Sequence, residues 1–307
     1  MDEAHKQALR ARFGEALAWD EPLARYTVAR LGGAARAVLR VGSVADLHAA
    51  CLWAYQRGMP WRLLGGGANV LASDAGFDGL LIVNGARTVD INAQTGRVCA
   101  DSGANLAPLA RRAMALGVGG FEWAVSVPGT LGGAVVNNAG AHGGDMAGDL
   151  HSARILDLPA ADVRDWSPAE LEYDYRHSLL KATPGRYVVL RACLSLQPGQ
   201  DSAALAARAD EFIAHRKRTQ PPGASLGSIF KNPPGDYAGR LIEAAGLKGQ
   251  RLGGVQISPV HANFFVNLGG GTAADYAALI DLAQQAVYAQ FGVWLEPEIE
   301  RIGHWPD

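Results

Sequence analysis

The order of apolar and polar positions divides this chain into short strands and amphipathic helices. Ala35-Arg36-Ala37-Val38-Leu39-Arg40-Val41 alternates with a period of two, which predicts a half-buried strand. Ser43 and Asp46 have the spacing of a capping box opening a helix from Val44 to Arg57, which Gly58 can end. Trp61 to Leu64 is the next strand and completes a compact β-α-β unit. Strands follow at Leu80-Leu81-Ile82-Val83 and in the pair Val89-Asp90-Ile91 and Arg97-Val98-Cys99, which turns at Thr95-Gly96. Asn105 is placed to cap a helix from Leu106 to Leu116, closed by Gly117.

Further along, strands near His151 to Leu156 and Arg186 to Leu196 flank Ser167-Pro168-Ala169-Glu170, a capping box with proline at the first helical position. Asp201 to Arg218 is an amphipathic helix stopped by Pro221-Pro222. A third unit has a helix around Tyr237 to Ala245, a strand from Asn263 to Asn267, and a long helix from Ala273 to Phe291 capped by Thr272. The last predicted strand, Val293 to Ile302, would put Glu296, Glu298 and Glu300 on one face, with Pro297 favouring a sheet edge.

Two glycine-rich stretches interrupt this pattern. Leu63-Leu64-Gly65-Gly66-Gly67-Ala68-Asn69-Val70-Leu71 leaves a strand without opening a helix, which argues against the common dinucleotide fingerprint. It predicts a cradle in which successive N–H groups converge on an anion. Val127-Pro128-Gly129-Thr130-Leu131-Gly132-Gly133-Ala134, continuing to Gly144, is too long for a turn and too apolar for a linker. Two such loops in successive units suit a dinucleotide bound extended between them. Gly269-Gly270-Gly271-Thr272-Ala273-Ala274 formally matches GxGxxA, but the chain ends too soon for the rest of a mononucleotide-binding half.

Composition narrows the choice of class. Glycine makes up 38 of 307 residues, or about 12%, against the usual ~7%. A formal charge of -2 with interspersed signs gives no footprint for nucleic acid. No apolar run approaches a membrane span, and the N-terminus lacks the features of a secretory signal, so a cytoplasmic protein is expected. Cys51, Cys99 and Cys193 lie far apart without CxxC or Cys/His spacing, which predicts neither a disulfide framework nor a metal site.

Among chemically capable residues, Ser228 follows Gly227 and precedes Ile229-Phe230-Lys231-Asn232-Pro233 with no nucleophile elbow around it. Arg176, between tyrosine and histidine, reads either as surface packing or as a fork for a carboxylate. The run His215-Arg216-Lys217-Arg218 first of all complements a helix dipole, with phosphate contact as its second reading.

Taken in order, Thr27 to Gly33, Leu64 to Asp78, Pro128 to Gly143, Tyr175-Arg176 with Ser178, Gly227 to Pro233, His261 to Asn267 and Leu295 to Glu298 resemble the motifs of the UDP-N-acetylenolpyruvoylglucosamine reductase family. The resemblance implies an α+β chain. It would comprise a flavin-binding region of the PCMH/VAO type with two subdomains, residues 1–78 and 79–200, and a C-terminal α/β substrate-binding domain at 201–292. A strand at 293–307 would return to the active site. It implies non-covalent FAD held by Leu64, Gly65, Gly66, Gly67, Ala68, Asn69, Val70, Pro128, Gly129, Thr130, Gly132, Gly133, Ala134, Asn138 and Gly140. Carried over by position, Arg176, Ser228 and Glu298 match the catalytic residues, and Tyr175, Lys231, Asn232 and His261 match substrate contacts. The implied reaction reduces an enolpyruvyl ether on a UDP-sugar with NADPH as hydride donor, in peptidoglycan precursor synthesis, by a cytoplasmic monomer with no nucleic-acid or membrane partner.

The interval from Arg176 to Ser228 is short, like the family's form without an extra tyrosine-bearing loop. Tyr26, Ser126, Asn137 and Glu300 depart from its common Asn, Gly, Met and Arg. A flavin oxidase of similar architecture is the alternative enzyme, and His142 is the side chain that could tether a flavin covalently. A catalytically dead flavin- or nucleotide-sugar-binding regulator is the alternative outside enzymes.

Overall fold

The computed structural model describes residues 1–305. The predicted helix after Ser43 forms as Val44–Gln56, with the Ser43 hydroxyl accepting from the Asp46 amide at 3.1 Å. The strands on either side of it are not neighbours, because Phe77–Asn84 lies between them. The sheet order is Leu17–Pro22, Ala34–Val41, Phe77–Asn84, Trp61–Leu64. Trp61–Leu64 runs parallel to the inserted strand, from Trp61 opposite Leu80 to Leu64 opposite Val83. Gly79 to Ile82 is buried throughout, as a central strand covered on both faces should be.

A five-stranded antiparallel sheet has the order Asp162–Trp166, Leu150–Asp157, Tyr187–Ser195, Arg97–Asp101, Val89–Asn92. The expectation about cysteine is corrected here, since Cys99 and Cys193 stand directly opposite on two of these strands and are disulfide-bonded, with Cα atoms 4.0 Å apart. Local spacing could not reveal this. Antiparallel pairing unites residues 94 apart in sequence, and closing so long a loop stabilises by about 4–5 kcal/mol on a chain-entropy model. Cys51 is buried and free, and burial pushes its thiol up to about 12.

A third sheet has the order Ala224–Ser228, Phe264–Asn267, Val255–Ile257, Arg251–Leu252. The predicted last strand is much shorter than expected. Only Glu300–Ile302 pairs, in parallel with Val70–Ala72, and Pro297 meets Phe230 in an isolated bridge. Glu296 and Glu300 are exposed while Glu298 is half-buried, so the single face carrying three carboxylates does not form.

The chain divides into two compact units. One comprises Met1–Ala18, Val38–Gly66 and Gly79–His215, and the other Trp19–Ala37, Gly67–Asp78 and the chain from Arg216 onward. Each has its own core. In the first, Val98, Ile155, Val189 and Leu194 of the five-stranded sheet pack with Leu106, Leu109 and Leu131. In the second, Tyr276, Ile280 and Val287 of the helix Ala273–Phe291 pack with Phe230, Ile257 and Phe265. That helix begins with the predicted Thr272 cap, strengthened by Asp275 into a capping box. Asn105 does precede the helix Leu106–Ala115, but its side chain makes no capping bond. Among the described residues no helix is long and apolar enough to cross a membrane.

Candidate active site

The glycine triplet is explained first by protein packing. A Cβ on Gly65 would stand 2.3 Å from Thr130 Oγ1, and one on Gly66 would stand 2.9 Å from Gly129 Cα. Both belong to the first unit, so these two glycines let the two predicted loops touch. Gly67 has φ +61° and its Cβ would meet the Tyr26 carbonyl oxygen in the second unit, at 1.9 Å. No side chain can occupy any of the three positions without moving backbone or Thr130.

Gly133 is different. It is exposed in the first turn of the helix Leu131–Asn137, and a Cβ there would meet only Thr130 Oγ1, at an ordinary 3.6 Å. Nothing among the described residues requires glycine at that point. One turn on, Asn137 donates through Nδ2 to the Gly133 carbonyl at 2.9 Å, while its Oδ1 is buried and has no hydrogen-bond partner among the described residues. A clear surface beside an unsatisfied acceptor fits a bound group carrying its own donors.

Gly132 shows the contrast, because its Cβ would stand 2.8 Å from Ser102 Cβ. Its N–H donates to the Ser102 carbonyl, and that of Leu131 to Ala104, so the helix start is fixed to the end of a sheet strand.

Arg176 sits in a turn at φ +54°, a conformation that costs a non-glycine residue about 1–3 kcal/mol. Its guanidinium lies over the Tyr175 ring and donates to the Asn138 carbonyl at 3.3 Å and the Gly140 carbonyl at 2.8 Å. The turn thus carries the arginine to the second glycine-rich loop. Ser178 supports it, being fully buried with its hydroxyl donating to the Val136 carbonyl at 2.5 Å. Asn138 contributes its side chain to the same junction, donating to the Asp174 carbonyl.

In the second unit, Ser228 ends a strand whose register is irregular between Ser225 and Ser228, with Gly227 at φ +78°. Such a bulge re-aims the following side chain. The Ser228 side chain is half-buried. Glu298 lies beside it, since its amide donates to the Ile229 carbonyl at 2.8 Å. Asn263, which residue spacing alone gave no role, holds the serine segment by accepting from the Phe230 amide and donating to the Phe230 carbonyl. It mimics a strand neighbour and is itself buried.

The predicted substrate contacts also have protein partners. Lys231 pairs with Glu296 at 2.6 Å, and Asn232 accepts from the Ala238 amide at the start of the helix Ala238–Ala244. His261 is half-buried, with Nδ1 accepting from the Asn263 amide; burial, and then the Lys248 charge, hold it below the ordinary histidine range. Tyr175 is exposed on the first unit.

The competing glycine run is settled by Asp74. Its carboxylate accepts from the Ala273 and Ala274 amides at 2.8 and 2.9 Å, occupying the helix N-terminus where a dinucleotide phosphate would have to sit. His142 stacks on Phe212 with centroids 4.3 Å apart.

Residues 219–302 match the model of the UDP-N-acetylenolpyruvoylglucosamine reductase C-terminal domain, and residues 35–163 that of an FAD binding domain. UDP-N-acetylenolpyruvoylglucosamine reductase from Rubrobacter xylanophilus is 45% identical over 294 residues, covering 95% of this chain and 97% of that protein. The chain belongs to the UDP-N-acetylenolpyruvoylglucosamine reductase family. The reductase of Prochlorococcus marinus is also 45% identical, over 92% of each chain. The crystal structure of the Thermus caldophilus reductase superposes with a TM-score of 0.78 at 34% identity, over 93% of this chain and 98% of that one. The expected α+β architecture, with an FAD-binding region and the family's C-terminal domain, is therefore correct. The residues of the two glycine-rich loops fit FAD, with the clear surface at Gly133 and the unsatisfied Asn137 acceptor as the features that the protein alone leaves unexplained.

Proposed function

We propose that this protein reduces UDP-N-acetyl-3-O-(1-carboxyvinyl)-glucosamine to UDP-N-acetylmuramate with NADPH, the step that supplies the lactyl ether of peptidoglycan precursors. The carrying observation is the bulge that presents Ser228 beside the Glu298 segment, in a chain matching reductases of this name along nearly its whole length. FAD would be held by the backbone of Leu64 to Val70 and of Pro128 to Ala134, with Asn138 and Gly140 behind. When bound, it supplies hydride, taken from NADPH, to the terminal vinyl carbon.

Negative charge then develops on the substrate's adjacent carbon and spreads into its carboxylate. Arg176 stabilises that charge, an electrostatic role that is usually the largest single contribution to catalysis. A bare carboxylate would repel the same charge, so Glu298 must be protonated or paired to serve there. Ser228 donates the proton to carbon. Although serine is a weak acid, an enolate carbon is a strong base, and placement of the hydroxyl decides. Tyr175, Lys231, Asn232 and His261 contact the nucleotide-sugar.

Among the described residues the Ala273 and Ala274 amides of the remaining glycine run are taken by Asp74, which leaves that run unsuited to NADPH. NADPH therefore uses the substrate's place in turn, with ping-pong kinetics; a ternary complex of enzyme, NADPH and substrate would contradict this. The reading also takes the enzyme as a cytoplasmic monomer. Replacing Ser228 with Ala should leave NADPH-driven flavin reduction nearly normal and abolish flavin reoxidation by the enolpyruvyl substrate. Survival of both half-reactions would remove Ser228 from this role.

A further inference from the structure

The strands Val70–Ala72 and Glu300–Ile302 pair in parallel, with Val70 opposite Glu300. Immediately before both strands, the ladder is continued by Asn69. Its carbonyl accepts from the Glu300 amide at 2.9 Å, and its side-chain Nδ2 donates to the Glu298 carbonyl at 3.1 Å. One residue of the glycine-rich loop therefore grips the chain on both sides of Ile299. On the other flank, the Glu298 amide donates to Ile229 and the Lys231 amide to Glu296. The Glu298 peptide is thereby held at its N–H by the serine segment and at its C=O by Asn69.

Pro297 explains why a side chain is used. It has no N–H, and the regular ladder begins only at Glu300, so the bend between Pro297 and Glu300 lacks a continuous strand partner. Asparagine is short and carries an amide donor. Aspartate would set a carboxylate oxygen against the Glu298 carbonyl, and alanine would leave that carbonyl without this bond.

We propose that Asn69 is a positioning residue for catalysis, fixing the Glu298 peptide to the flavin-side loop through its carboxamide instead of spending that group on the cofactor. The proposal rests on the reading of Glu298 as a catalytic residue. Asn69 then acts through Glu298, and a backbone shift of a few tenths of an ångström there misplaces the carboxyl group.

The test uses holoenzyme carrying Asn69→Ala, Asn69→Asp, Glu298→Gln, and the double variant Asn69→Ala/Glu298→Gln. FAD affinity is measured by fluorescence titration of apoprotein, and the two half-reactions by anaerobic stopped flow. The expected result for Asn69→Ala and Asn69→Asp is FAD affinity and the NADPH half-reaction within about threefold of wild type. Flavin reoxidation at saturating substrate should fall about 10- to 100-fold, a loss of roughly 1.4–2.7 kcal/mol of transition-state stabilisation. The half-saturating substrate concentration should change little. In the double variant, reoxidation should be no slower than in Glu298→Gln alone, because residues acting through one another are not additive.

Additive losses in the double variant would overturn the proposal, as would a fall in FAD affinity that accounts for the lost rate. Wild-type enzyme that failed to pass electrons to the enolpyruvyl substrate would refute the proposed function itself. Wild-type activity with an unimpaired Glu298→Gln would overturn the assignment of Glu298, and the role of Asn69 with it. Should Asn69→Ala fold poorly, judged by apoprotein melting, Asn69→Ser with its hydroxyl donor carries the same comparison and should recover part of the lost rate.

Discussion

Gly132 and Gly133 are adjacent in one helix, and the structure gives them opposite reasons to be glycine. An alanine Cβ at Gly133 meets only Thr130 Oγ1 at 3.6 Å, and alanine in a helix is favoured over glycine by about 0.5–1 kcal/mol. Apoprotein carrying Gly133→Ala should therefore melt at the same temperature as wild type or slightly higher. In the holoenzyme the methyl group enters the surface assigned to FAD, and overpacking of about 1–3 kcal/mol corresponds to roughly 5- to 150-fold weaker binding. Gly132→Ala should behave in reverse order. Its Cβ lies 2.8 Å from Ser102 Cβ and 3.0 Å from the Ser102 carbonyl oxygen, so the apoprotein itself loses stability by about 1–3 kcal/mol. Differential scanning fluorimetry of FAD-free protein and fluorescence titration with FAD separate the two effects. Unchanged FAD affinity in Gly133→Ala, or an apoprotein destabilised as much as Gly132→Ala, would refute the reasoning.

Two further predictions concern stability. Burial raises Asp149 from 3.8 to about 6, against the hydrogen bond from Trp123 Nε1 and with help from the Asp145 and Glu122 charges. The folded protein then holds more protons than the unfolded chain between about pH 4 and 6, so this group's contribution to stability falls as pH rises through that window. Asp149→Asn, which keeps an acceptor for Trp123, should stabilise by about 1–2 kcal/mol near neutral pH after discounting for partial exposure, with little gain near pH 4. Denaturant melts at the two pH values check this, and an equal gain at both would contradict it. Cys99→Ser or reduction by dithiothreitol should lower the melting temperature of the first unit, while Cys51→Ser, which keeps the Cys99–Cys193 bond, should stay as sensitive to reductant as wild type; thiol titration gives the matching count.

Legibility in the sequence followed the range of the interaction. Ser43, Ser167 and Thr272 were readable as caps because each bond spans three residues. The Cys99–Cys193 bond and the insertion of Phe77–Asn84 between two earlier strands depend on sheet register, which no local pattern encodes. The glycine triplet was legible as a place of close backbone approach. Its partners, Thr130, Gly129 and Tyr26, were not, and they make it a joint between segments of the chain. Asp74 illustrates the same limit, as a carboxylate some two hundred positions away occupies the helix start that the GxGxxA pattern offered. Ser228 and Glu298 carried little signal as isolated residues, and their proposed roles come from ordered motifs whose spacing reflects the bulge and the segment beside it.

The most direct test of the account follows flavin absorbance during anaerobic mixing of purified holoenzyme, first with NADPH and then with enolpyruvyl-UDP-N-acetylglucosamine. The account predicts bleaching on the first addition and full return of the oxidised spectrum on the second, with UDP-N-acetylmuramate formed in equal amount. A flavin that bleaches with NADPH and stays bleached on addition of the enolpyruvyl substrate would contradict it.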